Sequence, residues 1–166
     1  MITILNIAEY ISLIPFVYWS FLYIYYFLYT IKIVPFVFSI KYIFGFTTIV
    51  FISENLKKIV FEKMKPLSKR PKDACGCDFF SIKGNVGENP GLPSTHMSIV
   101  SYFAFYNMLI INTYCLEHNR LTFHSLNIIF LIFTGWSRYY KKCHNIEQIL
   151  AGILLGSVYA YMFHLI

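Results

Sequence analysis

At 166 residues the chain has room for one domain, and its make-up of 57% hydrophobic, 20% aromatic and only 13% charged residues departs from soluble domains, which carry about 25% charged residues. The formal net charge is +6, but the basic residues cluster in loops between apolar runs. Phosphate groups or lipid headgroups are therefore the expected partners, and nucleic acid is not.

Asp, Glu, Lys and Arg are missing from Tyr10–Ile31, Met97–Cys115, Leu121–Trp136 and Ile149–Ile166. A membrane span needs roughly 17–25 mostly apolar residues, so these runs predict an integral membrane protein. The chain starts Met1-Ile2-Thr3 without a basic segment, and its first apolar run is too long for a signal-peptide core. That run, Tyr10–Ile31, reads as a retained first span. A second helix is expected from Pro35 to about Ser53, with Lys41 inside it. Pro35 is tolerated there because a first turn needs no N–H. A polar extension, Glu54–Lys65, keeps Leu56, Ile59, Val60 and Met64 at helical spacing. Pro66–Pro93 holds Gly76, Gly84, Gly87, Gly91, Pro71 and Pro90 and reads as a loop. The third, fourth and fifth helices are expected at Ser94–Cys115, Leu121–Tyr140 and His144–Ile166. In the last of these Gly152, Gly156 and Ala160 lie four apart, a stripe that lets two helices approach. The predicted fold is all-α: an integral membrane helical bundle of about five transmembrane helices, forming a single domain over 1–166 with its active site at one membrane face.

The third and fourth helices form a hairpin, so the chain before one and after the other must return to the same face. The returning segments are 63–93 and 137–144, and they hold most of the polar chemistry. Lys63 and Arg70-Pro71 form one cluster, Pro93-Ser94-Thr95-His96 a second, and Ser137-Arg138, His144 and Gln148 a third. Each is weak by itself. Basic residues near helix ends are usually interfacial anchors, Arg138 can snorkel, and a histidine at a helix start is often a cap. Together they suit phosphoryl transfer, in which negative charge spreads over three equatorial oxygens. Lys63, Arg70 and Arg138 can supply positive charge, and Ser94 with the free N–H groups of a helix start adds donors. One histidine can attack phosphorus while another protonates the leaving oxygen. Gln148, one turn after His144, shares its helix face.

The three clusters resemble the motifs of the type 2 phosphatidic acid phosphatase superfamily, K-x6-RP, PSGH and SR-x5-H-x3-D. Thr95 stands where glycine is usual, and Gln148 where aspartate is usual. The motif core covers residues 63–152. The resemblance implies that His144 is the nucleophile, passing through a phosphohistidine, and His96 the general acid. It implies that Lys63, Arg70, Ser94, Arg138 and the N–H of Thr95 bind the phosphoryl oxygens. It also implies a hydrolase that needs no metal or organic cofactor, and a lipid phosphate substrate within the bilayer. The stretches 91–96 and 144–152 look like the dolichyl diphosphatase branch, which has a PSSH-type motif and a closing glutamine. A polyprenyl or dolichyl diphosphate is the substrate this suggests; a phosphatidate-type monophosphate is the alternative. The branch implies a multi-pass protein of an endoplasmic reticulum-like or other cellular membrane, with a lumenal or external site. The Lys and Arg of 57–83 and 138–142 point the other way by the positive-inside rule, although substrate-binding cations are poor reporters of topology. Two other readings are a non-catalytic membrane scaffold descended from the same family, and a metal site built from Cys75, Cys77, Cys143 and His144.

Overall fold

The computed structural model describes residues 4, 7–13, 36–72, 74, 77, 90–114 and 117–166. Most of the first expected span, together with Cys75, Gly76, Gly84 and Gly87, lies outside the described residues. All regular structure among the described residues is helical, as expected. The elements are α1 (Phe36–Ile59), the 3-10 turn η1 (Phe61–Lys63), the short α2 (Lys65–Ser68), α3 (Thr95–Tyr114), α4 (Glu117–Tyr140) and α5 (Ile146–Leu165).

The helix bounds differ from the expected ones wherever charge stood in for helix ends. α4 begins at Glu117 rather than Leu121, while the expected extension Glu54–Lys65 continues α1 as far as Ile59 and then gives way to η1. Charged residues interrupt an apolar run, but they are good helix formers and need not end a helix. Three helix ends are closed by identifiable caps. Ser94 Oγ accepts the N–H of Met97 and caps α3. Asn145 and Gln148 form a reciprocal capping box at the start of α5. At the end of α4 the N–H of Lys142 bonds the carbonyl of Tyr139, and the N–H of Cys143 bonds that of Arg138. Lys142 adopts φ 54°. That is a Schellman ending, with lysine in the left-handed position usually given to glycine.

A hydrophobic core joins three of the helices. It contains Tyr42 and Ile49 of α1, Ile99, Tyr102, Phe103 and Tyr106 of α3, and Ala160 and Phe163 of α5. A polar thread crosses the bundle beside it. Tyr42 donates to Asn107 Oδ1, Asn107 Nδ2 donates to Asn127 Oδ1 at 3.4 Å, and Asn127 donates to the carbonyl of Phe123 at 2.9 Å. The first two bonds join helices and pair polar groups that their apolar neighbours cannot satisfy.

The closest helix contact is α3 against α5. A Cβ on Gly156 would stand 2.2 Å from the Ser98 carbonyl oxygen, and one on Gly152 would stand 2.6 Å from that of Ser94. The small-residue stripe is thus a packing surface with no room for a methyl group. Gly156→Ala is expected to cost about 1–3 kcal/mol by overpacking. A fall of several degrees in the thermal midpoint in detergent is the reading that checks it. An unchanged midpoint would mean that α3 and α5 part without cost.

This packing brings the ends of α1 and α4 and the starts of α3 and α5 to one end of the bundle. Lys57 reaches Thr95, the N–H of Ser94 bonds the carbonyl of Gln148, and the N–H of His144 bonds that of Arg138. The N-terminal helical segment over residues 7–13 also approaches this end, where Ser137 donates to the carbonyl of Ala8 at 2.7 Å. Among the described residues one helix, α5, with mean hydropathy 1.5, is long and apolar enough to cross a membrane.

Candidate active site

His144 follows the Schellman turn and precedes the cap of α5, so both neighbouring helix ends fix its backbone. Its ring is buried, and Nδ1 lies 3.2 Å from Gln148 Oε1. The orientation of that amide is settled by its other end. Gln148 Nε2 donates to the carbonyls of Lys69 at 2.9 Å and Leu67 at 3.2 Å. Oε1 must therefore face His144, and an amide oxygen only accepts. Nδ1 then carries the proton, and Nε2 keeps its lone pair. Burial, followed by the adjacent Arg138 guanidinium, holds the imidazole well below its ordinary range, with Arg70 and Lys57 adding to the effect; the Gln148 bond opposes them. A ring so placed is neutral at neutral pH and can act as a nucleophile.

Gln148 is a hub as well as an orienting group. It is fully buried. Its carbonyl receives the N–H of Ser94, which ties the start of α5 to the start of α3. Its side chain ties both to the segment carrying Arg70. Gly91 makes this possible: a Cβ there would lie 2.6 Å from Gln148 Oε1 and 2.8 Å from Arg70 Cγ. The N–H of Gly91 in turn bonds the carbonyl of Ser68 at 2.6 Å.

Ser94, Thr95, His96 and Arg138 are all buried at this end of the bundle. Ser94 caps α3, and His96 sits in its first turn. Arg138 Nη2 donates to the carbonyl of Cys77. Arg70, half-buried, is near enough for its charge to bear on His144. Lys63 does not join them. It lies exposed on η1, while a different lysine enters the cluster. Lys57, on the last turn of α1, is buried, donates to Glu54 Oε1 at 2.7 Å and bonds Thr95 Oγ1. Thr95 in turn donates to Glu54. The sequence holds a signal for Lys57 in its acidic partner one helical turn earlier, but the match of Lys63 to the motif spacing masks it.

The cysteines also differ from the metal-site alternative. Cys77 and Cys143 form a disulfide across 66 residues. Disulfide sulfurs are not thiolate ligands, so two of that site's four proposed donors are lost. Among the described residues no group of three His, Cys, Asp or Glu side chains could hold a metal.

Two buried histidines, one of them oriented by a hydrogen bond, stand among the cations Arg138, Arg70 and Lys57 beside a helix N-terminus. Such an arrangement can hold an anion beside an imidazole that keeps a free lone pair. The family model of the PAP2 superfamily matches residues 38–166, and the chain belongs to that superfamily. Membership supports a phosphatase-type function, the hydrolysis of a phosphoric ester. Comparisons with curated proteins and with solved structures gave no match.

Proposed function

We propose that the chain is a membrane lipid phosphatase that hydrolyses a lipid-linked diphosphate or monophosphate, with a polyprenyl diphosphate as the best substrate. The observation that carries this reading is the His144–Gln148 bond, which leaves a nucleophilic Nε2 beside Arg138. In the first step Nε2 attacks phosphorus. The N–P bond forms, the P–O bond to the lipid-bearing group breaks, and His96, protonated as the phosphate's negative charge enters beside it, gives that oxygen its proton. In the second step water attacks the phosphohistidine, His96 takes the proton, and the N–P bond breaks to release phosphate. Arg70, Arg138, Ser94, the N–H of Thr95 and Lys57 hold the phosphoryl oxygens. Their charge can do what a metal would otherwise do, so no metal is needed. The similarity of 91–96 and 144–152 to dolichyl diphosphatases supports the isoprenoid substrate.

About five spans form the bundle. α1, α3 and α4, of 24, 20 and 24 residues, are as long as a span requires. Exposed Ile128, Ile129, Ile132 and Phe133 on α4, and Leu150, Leu154, Val158 and Met162 on α5, suit contact with lipid. The disulfide beside the site favours an oxidising compartment, and so a lumenal or external face.

The test is phosphate release by purified protein in detergent, with EDTA present, from polyprenyl diphosphate, polyprenyl phosphate and phosphatidate. The highest kcat/KM is expected on the diphosphate, with inhibition by vanadate. A preference for phosphatidate would reassign the substrate. Activity lost in EDTA and restored by a divalent ion would overturn the metal-free mechanism. Release from none of the three would leave a non-catalytic family member.

The lysine assignment has its own test. Lys57→Met is expected to lower kcat/KM on the order of 10²-fold, the usual effect of removing one group that stabilises transition-state charge. Lys63→Met should stay within about threefold of wild type, since an exposed side chain has little such charge to lose. The reverse pattern would return the phosphate contact to Lys63.

A further inference from the structure

We infer that the Cys77–Cys143 disulfide is a positioning device for Arg138 and His144, and that turnover depends on its staying oxidised. This rests on the phosphatase reading above. The argument is a closed circuit of bonds. Cys77 and Cys143 are joined through sulfur. The N–H of Cys143 bonds the carbonyl of Arg138 at 3.0 Å. The guanidinium of Arg138 returns to the carbonyl of Cys77. Arg138 is thus held at its main chain by one half-cystine and at its side chain by the other. His144 is the next residue after Cys143, and its own N–H bonds the same Arg138 carbonyl at 3.3 Å.

Each component needs the covalent link for a physical reason. The turn that delivers His144 contains Lys142 at φ 54°. A side chain in that region costs energy that the surroundings must supply. Cys77 lies between α2 and α3 in the chain, and the disulfide fastens it to the turn across a sequence separation of 66 residues. Without the bond, the carbonyl that orients Arg138 is no longer bound covalently to the segment carrying the nucleophile. Catalytic groups lose rate steeply when displaced by about 1 Å. The two half-cystines are 0% and 2% exposed, and so are sheltered from casual exchange. A dithiol reductant would open the bond by attack on one sulfur, followed by closure of the mixed disulfide. The reductant leaves as a cyclic disulfide, and Cys77 and Cys143 become thiols.

The experiment compares wild type with the Cys77→Ser/Cys143→Ser double variant in detergent, well below both unfolding midpoints. Turnover, orthovanadate binding by calorimetry and the thermal midpoint are measured for each. We expect kcat to fall at least tenfold and orthovanadate to bind several-fold more weakly in the variant, at a temperature where both proteins are folded. A lower midpoint with kcat and orthovanadate affinity within twofold of wild type would mean a merely structural disulfide and overturn the inference. If the double variant does not fold, wild type is treated with dithiothreitol, assayed, and reoxidised. Loss of kcat that returns with the disulfide supports the inference, and undiminished kcat in protein shown by thiol labelling to be reduced overturns it. Wild type that binds orthovanadate but releases no phosphate would count against the phosphatase reading alone. The binding ratio would then still judge the disulfide.

Discussion

Replacing His144 with alanine is expected to abolish phosphate release, by at least about 10⁴-fold, while the protein still folds into detergent micelles or membrane. Removing a nucleophile removes the covalent route, and what remains is the charge and the binding contributed by the rest of the site. The site is built so that this loss is local. The backbone of His144 is held from both sides, by the Schellman turn at Arg138 and by the Asn145 cap, and neither uses the imidazole. Gln148 Oε1 loses one of its donors but keeps the N–H of Asn145 at 3.4 Å. The structural cost is then that of a lost buried hydrogen bond and a small void, about 1–3 kcal/mol. Substrate labelled in the phosphorus should leave an acid-labile, alkali-stable label on wild type during turnover and none on the variant. An Ala variant that keeps more than a tenth of wild-type activity would show that another group attacks phosphorus.

The architecture at this end of the bundle was legible because charge is so unevenly distributed along the chain. The hairpin of the third and fourth expected helices places the two polar segments that flank it at one end, and the starts of α3 and α5 and the end of α4 lie together there. The starts of α3 and α5 fall within two residues of the expected Ser94 and His144, because the residues that cap them act locally. What could not be read depends on tertiary contact. Spacing cannot disclose that Cys77 pairs with Cys143, because cysteine positions alone do not determine connectivity. Lys57 and Lys63 are both lysines near a helix end, separated by less than two turns. Only the continuation of α1 through Ile59 shows which of them is carried to Thr95. The acceptor role of Gln148 follows from helical spacing to His144. Its two donor bonds cross about 80 residues of sequence, to Leu67 and Lys69, and no periodicity reports them.

Those donor bonds change what a substitution at Gln148 should do. From spacing alone, an aspartate there would keep an acceptor for His144 and so retain activity. In the structure the position must accept on one side and donate on the other, and it must reach both. Gln148→Ala removes the acceptor that sets the His144 tautomer and the donors that hold the segment 67–69. It is expected to lower kcat on the order of 10²-fold, the scale seen when the partner that orients a histidine is lost, with a smaller change in KM. Gln148→Asp, one methylene shorter, cannot span from His144 to the Leu67 and Lys69 carbonyls and should resemble the Ala variant. Gln148→Glu has the reach but sets a carboxylate against two carbonyl oxygens, which raises its pKa. In the protonated form its O–H can donate to one carbonyl while its other oxygen accepts from Nδ1. The Glu variant should therefore come within about tenfold of wild type at acidic pH and fall away as pH rises through that raised pKa. A merely capping or packing role makes a different pattern. There Gln148→Ala would lower the thermal midpoint while kcat at low temperature stayed at the wild-type value, and the Glu variant would show no such pH trend. Measuring kcat, KM and the midpoint for all three variants across pH separates the two, and wild-type kcat in Gln148→Ala would remove the orienting role while leaving His144 as the nucleophile.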